Sequence, residues 1–164
     1  MTPNLSLNAD VPMRRFARAA GRRLACFVRP HFGVICEDHS PRRGRSFANG
    51  GVTSEQLLFP ENSRSQRVTI TRVTVAPGAK NPPHAHAASE QVWVALRGSG
   101  LLLLGGAATA PFAEGDVVRF AEGDVHGLEN TGSVEIVYLS ATSPPINFRG
   151  AYAPDWQDSG NNAA

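Results

Sequence analysis

Between residues 46 and 141 a turn signal interrupts the chain every 8 to 12 residues. The signals are Asn49-Gly50-Gly51, Pro60-Glu61-Asn62, Pro77-Gly78, Asn81-Pro82-Pro83, Gly98, Gly105-Gly106, Glu114-Gly115-Asp116, Glu122-Gly123-Asp124 and Asn130-Thr131-Gly132. No stretch of twelve or more residues in this body carries a helical stripe free of Gly and Pro. The runs between the signals are short and rich in Val, Ile, Leu, Thr and aromatic residues, which suit a pleated, half-buried surface. Strands are expected over residues 67–75, 92–96, 100–104, 117–120 and 134–139, with Gly105-Gly106 as a tight hairpin turn. Evenly spaced short strands with Gly/Pro turns imply an all-β sandwich or barrel.

The chain has 164 residues, 41% hydrophobic and 18% charged, which supplies one core and excludes a fully disordered chain. The longest apolar run, Leu101–Leu104, ends in Gly-Gly and is far short of a membrane span. The net charge of +2 conceals an asymmetry. Residues 1–45 carry nine Arg against three acids (net +6), and residues 46–164 carry seven basic residues against eleven acids (net −4). The high isoelectric point thus belongs to the leading segment and is poor support for nucleic-acid binding by the body.

Three parts follow: a loosely ordered basic extension over 1–45, a barrel over 46–141 and a tail over 142–164. In the extension, Phe16, Ala20, Leu24 and Phe27 fall on one face of a possible helix, with Arg14, Arg18 and Arg22 on another. Such an Arg-rich, acid-poor stretch is similar to an organelle transit peptide. Arg14-Arg15 also has the look of a twin-arginine signal, yet no apolar region follows it. A floppy extension or a misassigned start are the plainer readings. Cys26 and Cys36 both lie in the extension and suit reduced thiols in a cytoplasmic protein. Ser143-Pro144-Pro145 should end the last strand, because proline cannot donate to a ladder. Ile146, Phe148, Tyr152 and Trp156 are candidates to pack outside the barrel before a disordered end.

The histidines carry the chemistry. His84 and His86 are two apart, a spacing that puts both on one face of a strand, and His126 follows forty residues later. Three imidazoles on neighbouring strands can converge on one metal ion. His31 and His39 have no such spacing.

These residues also stand in two longer patterns. Gly78, five residues and His84-Ala85-His86 form the first; Gly115, five residues, Ala121-Glu122-Gly123, His126 and Asn130 form the second. Together they resemble the two motifs of the cupin superfamily, with the short inter-motif separation of small single-domain bacterial members; only the Pro of the second motif is lost, to Ala121. The resemblance implies a double-stranded β-helix, or jelly-roll, barrel spanning roughly residues 65–141. It also implies one divalent metal ion (Fe, Zn, Mn or Ni) on His84, His86 and His126. A small-molecule substrate and a homodimer are implied as well, with no nucleic acid and no membrane.

The fourth ligand of the family pattern, a Glu, is where this chain departs. Counting forward from His86 lands on Glu90, and counting back from Gly98 lands on Gln91. The strand after the slot fits better with Gln91 in it, and Glu90 is the rival. A carboxylate would bring the site's charge to about +1, whereas an amide oxygen leaves it near +2, a weaker holder of metal and a stronger attractor of enolate-like anions. Glu90, if not a ligand, is either a general base beside the site or a solvated rim residue. Trp93 shares strand parity with Gln91 and either lines the cavity or packs in the core. Arg119 either grips an anion inside the barrel or lies outside, and Gly98, Gly115, Gly123 and Asn130 are read as turn residues. Two functions fit: a metalloenzyme on an enolic or carbonyl-containing molecule (dioxygenase, or Lewis-acid isomerase, lyase or cyclase), or a non-catalytic ligand-binding module.

Overall fold

The computed structural model describes residues 44–146. The expected helical stripe at Phe16–Phe27, Cys26, Cys36, His31, His39 and the aromatic residues of the tail lie outside the described residues. Ten strands run in order: β1 (Arg45–Asn49), β2 (Val52–Leu58), β3 (Thr69–Val75), β4 (Lys80–His84), β5 (Glu90–Arg97), β6 (Ser99–Leu104), β7 (Thr109–Ala113), β8 (Val117–Phe120), β9 (His126–Glu129) and β10 (Ile136–Ser143). They form a six-stranded sheet, β1-β2-β3-β10-β5-β8, and a four-stranded sheet, β4-β9-β6-β7. All pairings are antiparallel. The two sheets face each other across one core, an all-β architecture as the turn spacing implies and the jelly-roll arrangement that the motif resemblance implies.

Strand parity decides what the core contains. Along β10 the inward positions are Ile136, Tyr138, Ser140 and Thr142; along β5 they are Gln91, Trp93 and Ala95. The interior is therefore polarised along its length. One end holds Val52, Val75 and Ile136, all at 0% exposure, and Trp93, Phe112, Phe120 and Tyr138 pack at the centre. The other end buries Gln56, Thr69, Thr71, Gln91, Ser140 and Thr142. These polar residues stand side by side across strands: Gln56 opposes Thr71, Thr71 opposes Ser140, Thr69 opposes Thr142 and Thr142 opposes Gln91. Burying uncharged polar groups costs free energy unless each finds a hydrogen bond. Thr71 Oγ1 has no such partner among the described residues.

β1, β2, β4, β7 and β9 are strands that the Val/Ile/Leu runs did not mark out. β4 holds Pro82 and Pro83 and β7 holds Pro111, which argues against strand at first sight. Both strands lie at the edges of the smaller sheet, where a proline can face its missing N–H away from the ladder, and the β4–β9 register is irregular at Pro82-Pro83. Gly105-Gly106 does turn a hairpin, but through a three-residue 3-10 turn, Gly105–Ala107, between β6 and β7. At Gly98, φ is +77° and a Cβ would lie 2.5 Å from the Glu135 carbonyl oxygen, so glycine is required to turn β5 into β6.

A candidate metal centre at the polar end of the barrel

The prolines of β4 help to build the site. Asn81 pairs with Leu128, and the next registered pair is His84 with His126, so β4 spends three residues where β9 spends two. The extra residue is a β-bulge at Pro82-Pro83, where the ladder would lack N–H donors in any case. It sets His84 directly opposite His126. Gly127, next to His126, makes the close approach possible: a Cβ there would come within 2.7 Å of the Asn81 carbonyl oxygen and 2.9 Å of the Pro83 nitrogen. His86 lies just past the end of β4, and the Gly123 N–H of the second motif donates to its carbonyl oxygen at 2.9 Å. The spacing of His84 and His86 thus brings both rings to one place, although only His84 is on the strand.

One ring nitrogen from each of His84, His86 and His126 lies within 4.8 Å of the others. The ring centroids are 4.6 Å (His84–His126), 5.0 Å (His84–His86) and 5.3 Å (His86–His126) apart. His126 is 1% exposed and stacks on Phe120 at 4.3 Å. His84 Nδ1–H donates to the Pro82 carbonyl at 2.8 Å, and His126 Nδ1–H donates to the Asp124 carbonyl at 2.7 Å. A ring that donates from Nδ1 presents a lone pair at Nε2, the tautomer that a metal ion needs. Burial lowers the pKa of all three, most strongly by desolvation of the charged form. His86 falls to about 4, with repulsion from His84 as the second cause. His126 falls to about 3 for the same two reasons, against a small upward pull from the Asp124 carbonyl. Neutral imidazoles clustered with ring-nitrogen lone pairs fit a divalent cation.

Gln91 and Glu90 part company here. Gln91 is 5% exposed and points into the cluster, with its Oε1 3.2 Å from His126 Nε2 and its Nε2 2.9 Å from His86 Nε2. Glu90, the next residue along β5, faces the opposite side of the sheet, where Arg119 Nε and Nη2 donate to Glu90 Oε2 at 2.9 and 2.6 Å. Glu90 therefore has no access to the cluster, and no geometry supports it as a base or ligand. Arg119 is on the outer face as well. Among the described residues no carboxylate joins the three histidines.

Of the two readings of Trp93, the structure shows the packed core residue. It is 1% exposed against Phe112, Phe120 and Tyr138, and its Nε1–H donates to Gln91 Oε1 at 2.9 Å. Thr142, which the motifs do not touch, accepts a hydrogen bond from Gln91 Nε2 at 3.0 Å. Its signal in the sequence was the alternation Ser140, Thr142 on an otherwise apolar strand. Asn130 organises the turn after β9, donating to the carbonyls of Val75 and Val134 and accepting from the Gly132 N–H.

Residues 71–142, from β3 to β10, match the cupin domain family. Those residues form a cupin domain. It is 35% identical over 96 residues to germin-like protein subfamily 2 member 1 of Arabidopsis thaliana, covering 55% of this chain and 43% of that one. It is 28% identical over 91 residues to the oxalate-binding protein of Thermotoga maritima, covering 56% and 74%. Among solved structures, the polyketide cyclase RemF of Streptomyces resistomycificus superposes with a TM-score of 0.59 at 17% identity, covering 74% of this chain and 96% of that one. The chain thus spans less than half the length of this germin-like relative. No helix among its described residues is long and apolar enough to cross a membrane.

Proposed function

We propose that this cupin holds one divalent metal ion on Nε2 of His84, His86 and His126, with the Gln91 amide oxygen beside it, and uses it on a small oxygenated organic molecule. The observation that carries the reading is the convergence of three neutral imidazoles within 4.8 Å at the polar end of the barrel. A divalent ion there would supply a Lewis acid for a carbonyl or enolate oxygen and, if redox-active, a centre for dioxygen chemistry. The chain itself does the rest. Three imidazoles and an amide leave the ion's charge uncompensated, which favours enolates and other anionic oxygens. The neighbouring inner wall of Gln56, Thr69, Thr71, Ser140 and Thr142 is uncharged, and Thr71 Oγ1 is free to bond a ligand or water. An enolic or carbonyl-bearing molecule with few formal charges suits both features. A dioxygenase or an isomerase, lyase or cyclase is the corresponding enzyme class.

One observation favours a second reading, a non-catalytic ligand-binding module: among the described residues no carboxylate stands at the cluster to move a proton. Metal analysis of the purified protein tests the site. Dioxygen uptake by the Fe(II)-loaded protein with enolic and dicarbonyl compounds, oxalate included, separates the classes; binding without turnover favours the module. We extend the proposal to a homodimer in the cytoplasm. Leu96 and Val117 stand exposed on the outer face of the larger sheet, and the described residues contain no cysteine. A monomer by light scattering at micromolar concentration would count against the dimer.

A further inference from the structure

The Gln91 amide makes three hydrogen-bonding contacts whose chemistry leaves it one orientation. An indole N–H only donates, so the amide atom facing Trp93 Nε1 at 2.9 Å is the oxygen. The amide nitrogen then faces Thr142 Oγ1 at 3.0 Å and His86 Nε2 at 2.9 Å, and it has one hydrogen for each. Turning the amide over would set two N–H donors against each other at Trp93. A second relationship follows from the first. His126 donates from Nδ1 to the Asp124 carbonyl, so its Nε2 is a bare lone pair, 3.2 Å from the Gln91 oxygen. Two acceptors at that distance with no hydrogen between them repel each other, and a cation relieves the repulsion.

We infer that Trp93 is a positioning residue of the metal centre: its indole N–H holds the Gln91 amide so that oxygen, and not N–H, faces His126. This rests on the reading that the cluster binds a divalent metal. With the amide held, the oxygen keeps one lone pair directed at the cluster, and the N–H on His86 is the bond that metal binding displaces. Thr142 supports the same orientation from the nitrogen side. Without the indole donor the amide is free to turn and place an N–H against the His126 lone pair, where it competes with the ion.

The test is a double-mutant cycle on metal affinity, read by competition of zinc against a chromogenic chelator. Loss of a group that orients a ligand costs roughly 10- to 100-fold in metal affinity. Trp93→Phe is expected to weaken zinc binding by about tenfold. In a Gln91→Ala background the same change should alter it less than about twofold, because nothing remains to be oriented. Thr142→Val, which preserves shape, should weaken zinc in the same direction with folding intact. NMR of the wild-type protein adds a readout independent of whether Trp93→Phe folds. The Trp93 Nε1–H should be protected from exchange, shift on zinc binding and lose protection in Gln91→Ala. Equal losses from Trp93→Phe with and without Gln91 would overturn the inference, as would an indole N–H indifferent to zinc. Absence of zinc binding by the wild-type chain is a different failure, that of the metal reading itself.

Discussion

His84 and His126 are direct cross-strand partners on β4 and β9, with their rings 4.6 Å apart, although forty-two positions separate them in the chain. The bulge at Pro82-Pro83 creates that pairing, and His86 completes a triangle from the loop beyond it. In the proposed site each imidazole would supply one of three nitrogen donors. His84→Ala, His86→Ala and His126→Ala should each abolish stoichiometric metal after dialysis, as measured by elemental analysis. Full metal in His126→Ala would rule out the three-histidine site.

Gln91→Glu should tighten metal binding. A carboxylate adds a charged oxygen donor and also removes the N–H that caps His86 Nε2. A charge-assisted contact exceeds a neutral one by about 1.5 kcal/mol, which corresponds to about tenfold in affinity. Gln91→Ala should weaken binding without abolishing it. Calorimetric titration with zinc measures both.

Glu90→Ala should leave metal content unchanged. Its carboxylate pairs with Arg119 on the outer face, and both side chains are well exposed. Exposed pairs of this kind contribute about 1 kcal/mol or less. Loss of metal from Glu90→Ala with retention in Gln91→Ala would reverse the assignment of the two residues.

The metal-free protein should lose stability as the pH falls below about 6.5, the ordinary histidine value. The folded state holds His86 and His126 neutral down to about 4 and about 3, and burial lowers His84 in the same direction. Within that window the unfolded chain binds more protons than the folded one, so stability rises with pH and is complete above the unfolded value. Urea midpoints at pH 8, 6 and 5 should fall in that order. The decline should be shallower in His126→Gln, and a flat profile would contradict the buried neutral cluster.

Gly127→Ala should both destabilise the fold and weaken the site. The added methyl would meet the backbone of Asn81, Pro82 and Pro83, which has no flexible end to move aside. Forcing β4 away from β9 separates His84 from His126, and overpacking of this kind costs typically 1–3 kcal/mol. Thermal unfolding reads the first effect and zinc affinity the second.

Much of this was legible in the residue order. Turn signals at regular intervals leave no room for a packed helix, so an all-β fold follows from local chemistry alone. His84, His86 and His126 could be singled out because few residue types bind metal and their spacing relative to Gly78, Gly115 and Asn130 matched the cupin pattern. Other features depended on which side of a strand each residue faces. Glu90 and Gln91 are adjacent, and the following strand favoured Gln91 with Glu90 as the rival; a side-chain period of two sends Glu90 to solvent and Gln91 to the cluster. Pro82, Pro83 and Pro111 argued against strands until the sheet order placed them at edges. The bonds from Trp93 and to Thr142 are likewise products of the tertiary structure, because β5 meets β10 only when the sheet closes. Local sequence determines turn, strand and donor chemistry, whereas long-range register decides which donors meet.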